Sequence, residues 1–357
     1  MTPIAQALQH QPLSPIPSLL LSWYDQNARV LPWRENPSPY RVWISEIMLQ
    51  QTRVEAVKPY FERFISQLPT ITALANAPDA QLMKLWEGLG YYNRARNLQK
   101  AAIEIVDRYG GELPASFDAL LSLPGIGEYT AGAISSIAFS IPAPAVDGNV
   151  LRVISRYCGS YDDITQPRVK AYVSDAITQI LPQRVGDFNQ ALMELGATVC
   201  LPNGDPLCSQ CPLSQICLAH RKNLTAEIPQ KAKKKPRKIE HHTILLLQND
   251  QKEYALIQRP DSGLLAGLWE FPHVSGTLKY EDLASVLSPM GLSLLSAEPL
   301  SPAKHIFTHL EWHMTGYHVL VTGAGINRFT WVSPLRLKTE FALPGALSVY
   351  RNFAFSN

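Results

Sequence analysis

"LPGIGEYTAGAI", residues 123–134, decides how the first half of this chain folds. Upstream, "FDALLS" has helical spacing. Pro124 stops that helix, Gly125 and Gly127 open a turn, and the sequence restarts as a helix rich in small residues. The stretch predicts two helices joined by a tight hairpin. Glycines let a backbone approach a ligand closely, and the free N–H groups and positive dipole end of the second helix favour an anion such as a DNA phosphate. A plain interhelical turn without a ligand explains "PGIG" as well, so context has to decide.

Outward from the hairpin, apolar residues recur at intervals of three and four in "VWISEIMLQQT", "QLMKLWEGLG", "LQKAAIEIVDRYG", "VLRVISRYCG" and "FNQALMELGATVC". This spacing predicts helices from about Leu19 to His220. The chain has 357 residues, 46% of them hydrophobic and 17% charged, which suits two domains with ordinary cores. A net charge of +2 names no partner. "MTPIAQALQHQPLSPIPSLL" lacks a basic region followed by an apolar block, and no segment approaches the roughly 18 apolar residues of a membrane span. The expectation is a cytoplasmic protein without membrane association.

"RKNLTAEIPQKAKKKPRKIEHH" is rich in Lys and interrupted by two prolines, the composition of an exposed linker. The reading is an all-α domain over 1–224, a basic linker over 225–241 and an α+β domain over 242–357. In the last, "HTILLLQND", "EYALIQRP", "HIFTHLEWHMTGYHVLV" and "RFTWV" have strand composition, and "YEDLASVLSPMG" is helical.

Four of the five cysteines, Cys200, Cys208, Cys211 and Cys217, run C-x7-C-x2-C-x5-C. Compact all-thiolate spacing points to an iron–sulfur cluster or a structural zinc. Zinc sites usually join two separated pairs, whereas here one C-x2-C is flanked by a cysteine on each side, which favours [4Fe–4S]. Cys158 is expected to be a buried apolar residue. Two carboxylates are ambiguous on spacing alone. Glu46, among Trp43, Ile44, Ile47 and Met48, reads equally as a solvated helix flank, and Asp147 as the N-cap of the helix that follows it.

Hairpin, cysteines and "VDGNVLRV" together resemble the endonuclease III (helix-hairpin-helix) superfamily of DNA glycosylases. "LPWRENPSPYRVWISEIMLQQTRVE", "GLGYYNRARNL" and "LLAGLWEFP" resemble its MutY family of adenine DNA glycosylases. One departure is the first cysteine interval, six residues in the family and seven here, which a turn at Asn203-Gly204 can absorb. The resemblance implies a monomer that acts on double-stranded DNA and removes adenine mispaired with 8-oxoguanine, or with guanine. It would hydrolyse the N-glycosidic bond and leave an abasic site, acting on an extruded base.

The resemblance implies site residues too. Glu46 would protonate adenine N7, and Asp147 would stabilise or trap the oxocarbenium-like sugar; one must be protonated and the other ionised. Asn149 would help place sugar and water. Tyr129 stands where lyases of the superfamily carry lysine; it cannot form an imine, and its phenol is expected to hydrogen-bond a catalytic carboxylate, Asp147. Gln50, Gln51 and Tyr91 match residues wedged into the base stack, Gly125 and Gly127 the phosphate-binding hairpin, and Arg29 and Gln190 the adenine pocket. The second domain resembles the MutY C-terminal domain, which is similar in fold to Nudix hydrolases. No REVxEExG-like acidic helix follows "LLAGLWEFP" to hold magnesium, so pyrophosphate hydrolysis is not expected. Phe307, Thr308 and His309 match the lesion-sensing loop, with Thr in place of the family's Ser. The rival readings are a bifunctional endonuclease III-like glycosylase/lyase for oxidised pyrimidines and a non-catalytic iron–sulfur or zinc DNA-binding protein.

Overall fold

The computed structural model describes residues 3–232 and 236–356. Packing divides them into two units, residues 3–76 with 96–232, and residues 77–95 with 236–356. Among the described residues no helix is long and apolar enough to cross a membrane.

The first unit is built of helices. Its hairpin consists of Phe117–Leu121 and Glu128–Phe139, with Gly125 between them at φ +76°, a left-handed conformation that a side chain disfavours. The small residues of "TAGAISS" have a steric purpose. A Cβ on Gly132 would lie 2.0 Å from the Pro144 carbonyl oxygen, so this helix is pressed against the chain leading into Asp147. Asp147 caps the helix Gly148–Cys158, which ends at Gly159 in the left-handed region. Val150, Ile154 and Tyr157 of that helix pack with Ile16, Leu20, Val173, Phe188, Leu192 and Leu195 in one core. Truncating a buried leucine such as Leu192 to alanine costs about 2–5 kcal/mol.

The second unit holds a seven-stranded sheet: β1 Lys238–Gln248, β2 Tyr254–Gln258, β3 Trp269–Glu270, β4 His273–Ser275, β5 Ser293–Ile306, β6 Leu310–Thr322 and β7 Thr330–Val332. The path is β3-β2-β1-β6-β5, with β4 paired to β1 and β7 to β2. β1 and β6 run parallel, and β5 and β6 form an antiparallel hairpin. The period of two in "ILLL" explains why both faces are covered. Ile244 and Leu246 pack with Tyr350 and Ala354 of the helix Ser348–Ser356, while Leu245 and Leu247 pack with Leu283 and Leu287 on the other side. The α+β reading agrees with this sheet and its helices.

Three details differ from the sequence reading. β5 carries Pro299 and Pro302 and is absent from it, because a strand with prolines is tolerated only at an edge; β5 ends the sheet and its pairing shifts register between Leu294 and Ser296 and between Leu300 and Ala303. The linker is narrower than 225–241. Ile228 is buried and its carbonyl accepts from Arg156 Nε at 2.7 Å, β1 starts at Lys238, and 233–235 lie outside the described residues. Finally, residues 77–95, from the midst of the helical sequence, pack with the second unit. Charge patterning hides this, since Lys84 and Glu87 look like an ordinary solvated pair until their partners are known.

Candidate active site

Glu46 lies in the helix Pro39–Leu49, whose N-cap Ser38 accepts a hydrogen bond from the Arg41 amide. Tyr40 and Val42 through Met48 are all buried, so this helix has no solvated flank and Glu46 is only 6% exposed. Among the described residues its hydrogen-bond partner is Tyr129, whose phenol donates to Oε2 at 2.5 Å. Burial pushes the carboxyl up to about 7, the Tyr129 hydrogen bond pulls down, Asp147's charge pushes up and Arg34 pulls down. At neutral pH a large fraction of Glu46 therefore carries a proton, as a general acid requires.

Asp147 is held differently. Its Oδ1 accepts from the amides of Asn149 at 2.9 Å and Val150 at 2.8 Å, and its Oδ2 from Asn149 Nδ2 at 2.7 Å. Burial raises its carboxyl, and these donors oppose the rise. Asn149 is fixed in turn, its Oδ1 accepting from Arg152 Nη2 at 2.8 Å, while the same nitrogen donates to the Gly196 carbonyl at 2.7 Å. The expected Tyr129–Asp147 hydrogen bond is corrected here, because the phenol goes to Glu46. Asp147 is occupied by the first turn of its own helix, whereas Glu46, in mid-helix, has no backbone donors to satisfy it.

Beside Glu46 lies a cavity of about 220 Å³ lined by Tyr24, Trp33, Arg34, Val42, Ser45 and Gln190 among others. A water occupies about 30 Å³ in the liquid, so this is room for a planar ring rather than for one water. Gln190 lines the cavity, and its Oε1 accepts from Arg34 Nε at 2.9 Å. Arg29 is engaged elsewhere, donating to Glu194 through Nε at 2.5 Å and Nη2 at 3.1 Å. Glu194 is 1% exposed and also receives Arg34 Nη2 at 3.0 Å. Burial pushes Glu194 up, but Arg29 and Arg34 outweigh it and hold the carboxyl below its ordinary value. Sequence reading missed Trp33, Arg34 and Glu194 as individual residues. An acid inside the apolar pattern "ALMELGA" was the available signal for Glu194.

Two of the three wedge candidates share a backbone feature. Gln51 has φ 57° and Tyr91 φ 50°, left-handed values costing about 1–3 kcal/mol for such residues, and strain of this kind gathers at functional sites. Both are exposed, Tyr91 by 47%, and Gln50 Nε2 donates to Thr130 Oγ1 at 3.3 Å. No side chain caps the first turn of the hairpin's second helix at Gly127. In the second unit, Phe307 is half-buried with its ring centroid 5.0 Å from that of Trp312, while Thr308 and His309 are exposed at the β5–β6 turn, closed by the Phe307 amide donating to the Leu310 carbonyl.

Cys200, Cys208, Cys211 and Cys217 line one cavity with Arg156 and Leu195. The extra residue of the first interval is taken up in a loop with Gly204 at φ +71°, closed by the Leu207 amide donating to the Val199 carbonyl at 2.9 Å. Arg156 Nη1 lies 3.2 Å from Cys200 Sγ. Among the described residues no three His, Cys, Asp or Glu side chains form a group able to hold a single metal ion. Cys158 is 2% exposed in the helical core, where burial pushes its thiol up to about 12.

Residues 44–179 match the HhH-GPD superfamily base excision DNA repair protein family, and residues 243–350 match the NUDIX domain. The chain is 37% identical to the adenine DNA glycosylase of Rattus norvegicus over 93% of this chain and 77% of that one. The Mus musculus adenine DNA glycosylase is 38% identical over 94% and 78% of the two chains. Among solved structures, a thermostable thymine-DNA glycosylase is similar with TM-score 0.52 at 30% identity, covering 57% of this chain and 94% of that one. A non-covalent endonuclease III–DNA complex gives TM-score 0.51 at 25% identity, over 62% and 98%. Likeness to adenine-specific enzymes along most of both chains sets aside the pyrimidine-directed lyase and the non-catalytic reading. The chain belongs to the adenine DNA glycosylases, enzymes of base excision repair that hydrolyse the N-glycosidic bond of adenine in DNA.

Proposed function

We propose that this enzyme removes adenine mispaired with 8-oxoguanine, and less readily with guanine, using Glu46 as acid and Asp147 as counter-charge. The observation that carries the reading is the pairing of a buried carboxyl pushed up to about 7 beside a cavity with a second, donor-held carboxylate. Adenine leaves poorly until a ring nitrogen is protonated. Glu46 gives its proton to N7, the C1′–N9 bond breaks with its electron pair going to the base, and the sugar becomes cationic. Asp147 stabilises or traps that cation, water adds at C1′, and the water's proton returns to the enzyme. Gln190 and Arg34 face the base from the cavity wall, and Asn149 holds Asp147. Without a lysine at Tyr129 no imine forms, and the abasic strand stays intact.

Gln50, Gln51 and Tyr91 replace stacking lost on extrusion, the hairpin at Gly125 and Gly127 binds a phosphate, and Phe307, Thr308 and His309 read the opposite base. The enzyme acts as a monomer. Excision from duplexes with adenine opposite 8-oxoguanine, guanine and thymine tests specificity. Equal rates on all three would overturn it, and loss of the 8-oxoguanine preference when residues 236–356 are removed would assign the preference to that part of the second unit.

The four cysteines fit a [4Fe–4S] cluster. All four thiols line one cavity, and one C-x2-C flanked by a cysteine on each side suits the all-thiolate set of such a cluster better than the two separated pairs usual for zinc. Arg156 beside Cys200 offsets thiolate charge. When bound, the cluster would cross-link the end of the helix Val185–Thr198 to the loop through Cys217 and supply a redox-capable centre. Iron and sulfide at about four each per chain in anaerobically purified protein are expected; one zinc without iron would contradict it.

A further inference from the structure

The segment 77–95 leaves the first unit and returns to it, and its central helix, Asp79–Trp86, is held by the far end of the chain. Lys84 Nζ donates to the Phe341 carbonyl at 2.9 Å, and Glu87 Oε1 accepts from the Leu343 amide at 2.9 Å. Arg351, on the helix Ser348–Ser356, pairs with Glu87 Oε1 at 3.0 Å, and Lys84 with Oε2 at 2.8 Å. The side chains of Lys84, Glu87 and Arg351 are 20%, 13% and 20% exposed, so this is a mostly desolvated triad rather than a surface pair.

Glu87 is also the C-cap of its helix, and the Tyr91 loop begins there. Gly88 and Gly90 have φ 100° and 72°, so the backbone between Glu87 and Tyr91 is held in conformations that its own side chains do not dictate. What holds it is a latch. Trp86 Nε1 donates to the Gly90 carbonyl at 3.1 Å, and Arg94 Nη2 donates to the Leu89 and Gly90 carbonyls at 3.3 and 3.1 Å. The Arg94 guanidinium also lies 5.4 Å from the ring centroids of both Trp86 and Tyr91. Partners therefore run from Arg351 to Glu87, along the backbone to Trp86, and through Arg94 to the Tyr91 ring.

We propose that Glu87, clamped by Lys84, Arg351 and the Leu343 amide, is a positioning residue that sets the Tyr91 loop for insertion into DNA, so that the carboxyl-terminal helix takes part in base extrusion. The inference rests on the reading of Tyr91 as a wedge.

The test uses the full chain and duplexes in which 2-aminopurine replaces the target adenine, its fluorescence reporting extrusion, alongside single-turnover excision of adenine opposite 8-oxoguanine. Glu87→Gln and Arg351→Gln should each lower both signals about tenfold, the size of coupling expected between groups in one network. The pH at which excision declines, set by Glu46, should not move. Arg351→Lys should restore most of the loss, which separates the clamp from general misfolding, and melting temperatures identify any variant that has unfolded. Tyr91→Ala decides the underlying reading by itself, because unchanged extrusion in that variant means Tyr91 is no wedge. If Tyr91→Ala is impaired while Glu87→Gln and Arg351→Gln, folded, extrude normally, the positioning role is wrong and the wedge stands. In a Tyr91→Ala background Glu87→Gln should cost nothing further; a full additional tenfold loss there would mean that Glu87 acts by another route, and would overturn the proposal.

Discussion

Glu46 and Asp147 are the same functional group in two regions that treat it in opposite ways. Glu46 sits in mid-helix, where backbone donors are consumed by the helix itself, and one phenol is its close partner. Asp147 sits at a helix start, where free N–H groups point at it, and takes three donors. Burial raises both carboxyls above their ordinary values; at Asp147 three donors and the Arg152 charge oppose the rise without cancelling it, whereas at Glu46 the single hydrogen bond leaves the carboxyl at about 7. Position along a helix thus sorts an acid from an anion.

The largest effects are expected at the two carboxyls themselves. Glu46→Gln keeps the shape and the Tyr129 contact but has no proton to give, so single-turnover excision should fall by at least about 10³, within the range of general acid catalysis, while DNA affinity persists. Asp147→Asn removes the counter-charge and should cost about 10²–10³ in the same assay. A lowered melting temperature with excision otherwise normal would reduce Asp147 to its capping role. Tyr129→Phe sharpens the contrast. The phenol holds Glu46 down, so losing it should move the pH at which activity declines upward, while the lost contact that orients the acid should cost a few-fold in rate on the low-pH plateau.

The smallest effect is on stability. Burial raises Glu46 from 4.5 to about 7, so the folded state holds this proton more tightly than the unfolded chain does. That stabilisation is complete below pH 4.5 and is lost as the pH rises through about 7, a swing on the order of 3 kcal/mol. Glu46→Gln does not titrate, so its melting temperature should gain on the wild type between pH 5 and 8. An equal difference at both pH values would mean that Glu46 is not buried as an acid.

Much of the architecture was legible in the sequence, and the reasons are physical. Helical spacing and the Gly125 turn gave the hairpin, strand composition in "HTILLLQND" gave a strand, and the acidic residue before "GNVLRV" gave an N-cap. The burial of Glu46 was not legible, because residues on every side of its helix are buried and periodicity then carries no direction. The same limit hid Glu194, which two arginines distant in sequence neutralise. Backbone strain at Gln51 and Tyr91 leaves no mark on composition, and β5 was masked by prolines that only an edge position tolerates.

If excision depends on a protonated, buried Glu46, single-turnover adenine release at saturating enzyme must follow the titration of that carboxyl. The rate should fall toward a tenfold loss per pH unit above about 7, with the midpoint displaced upward in Tyr129→Phe. A rate that stays flat or rises to pH 9, with the same profile in Tyr129→Phe, would show that Glu46 does not supply the proton.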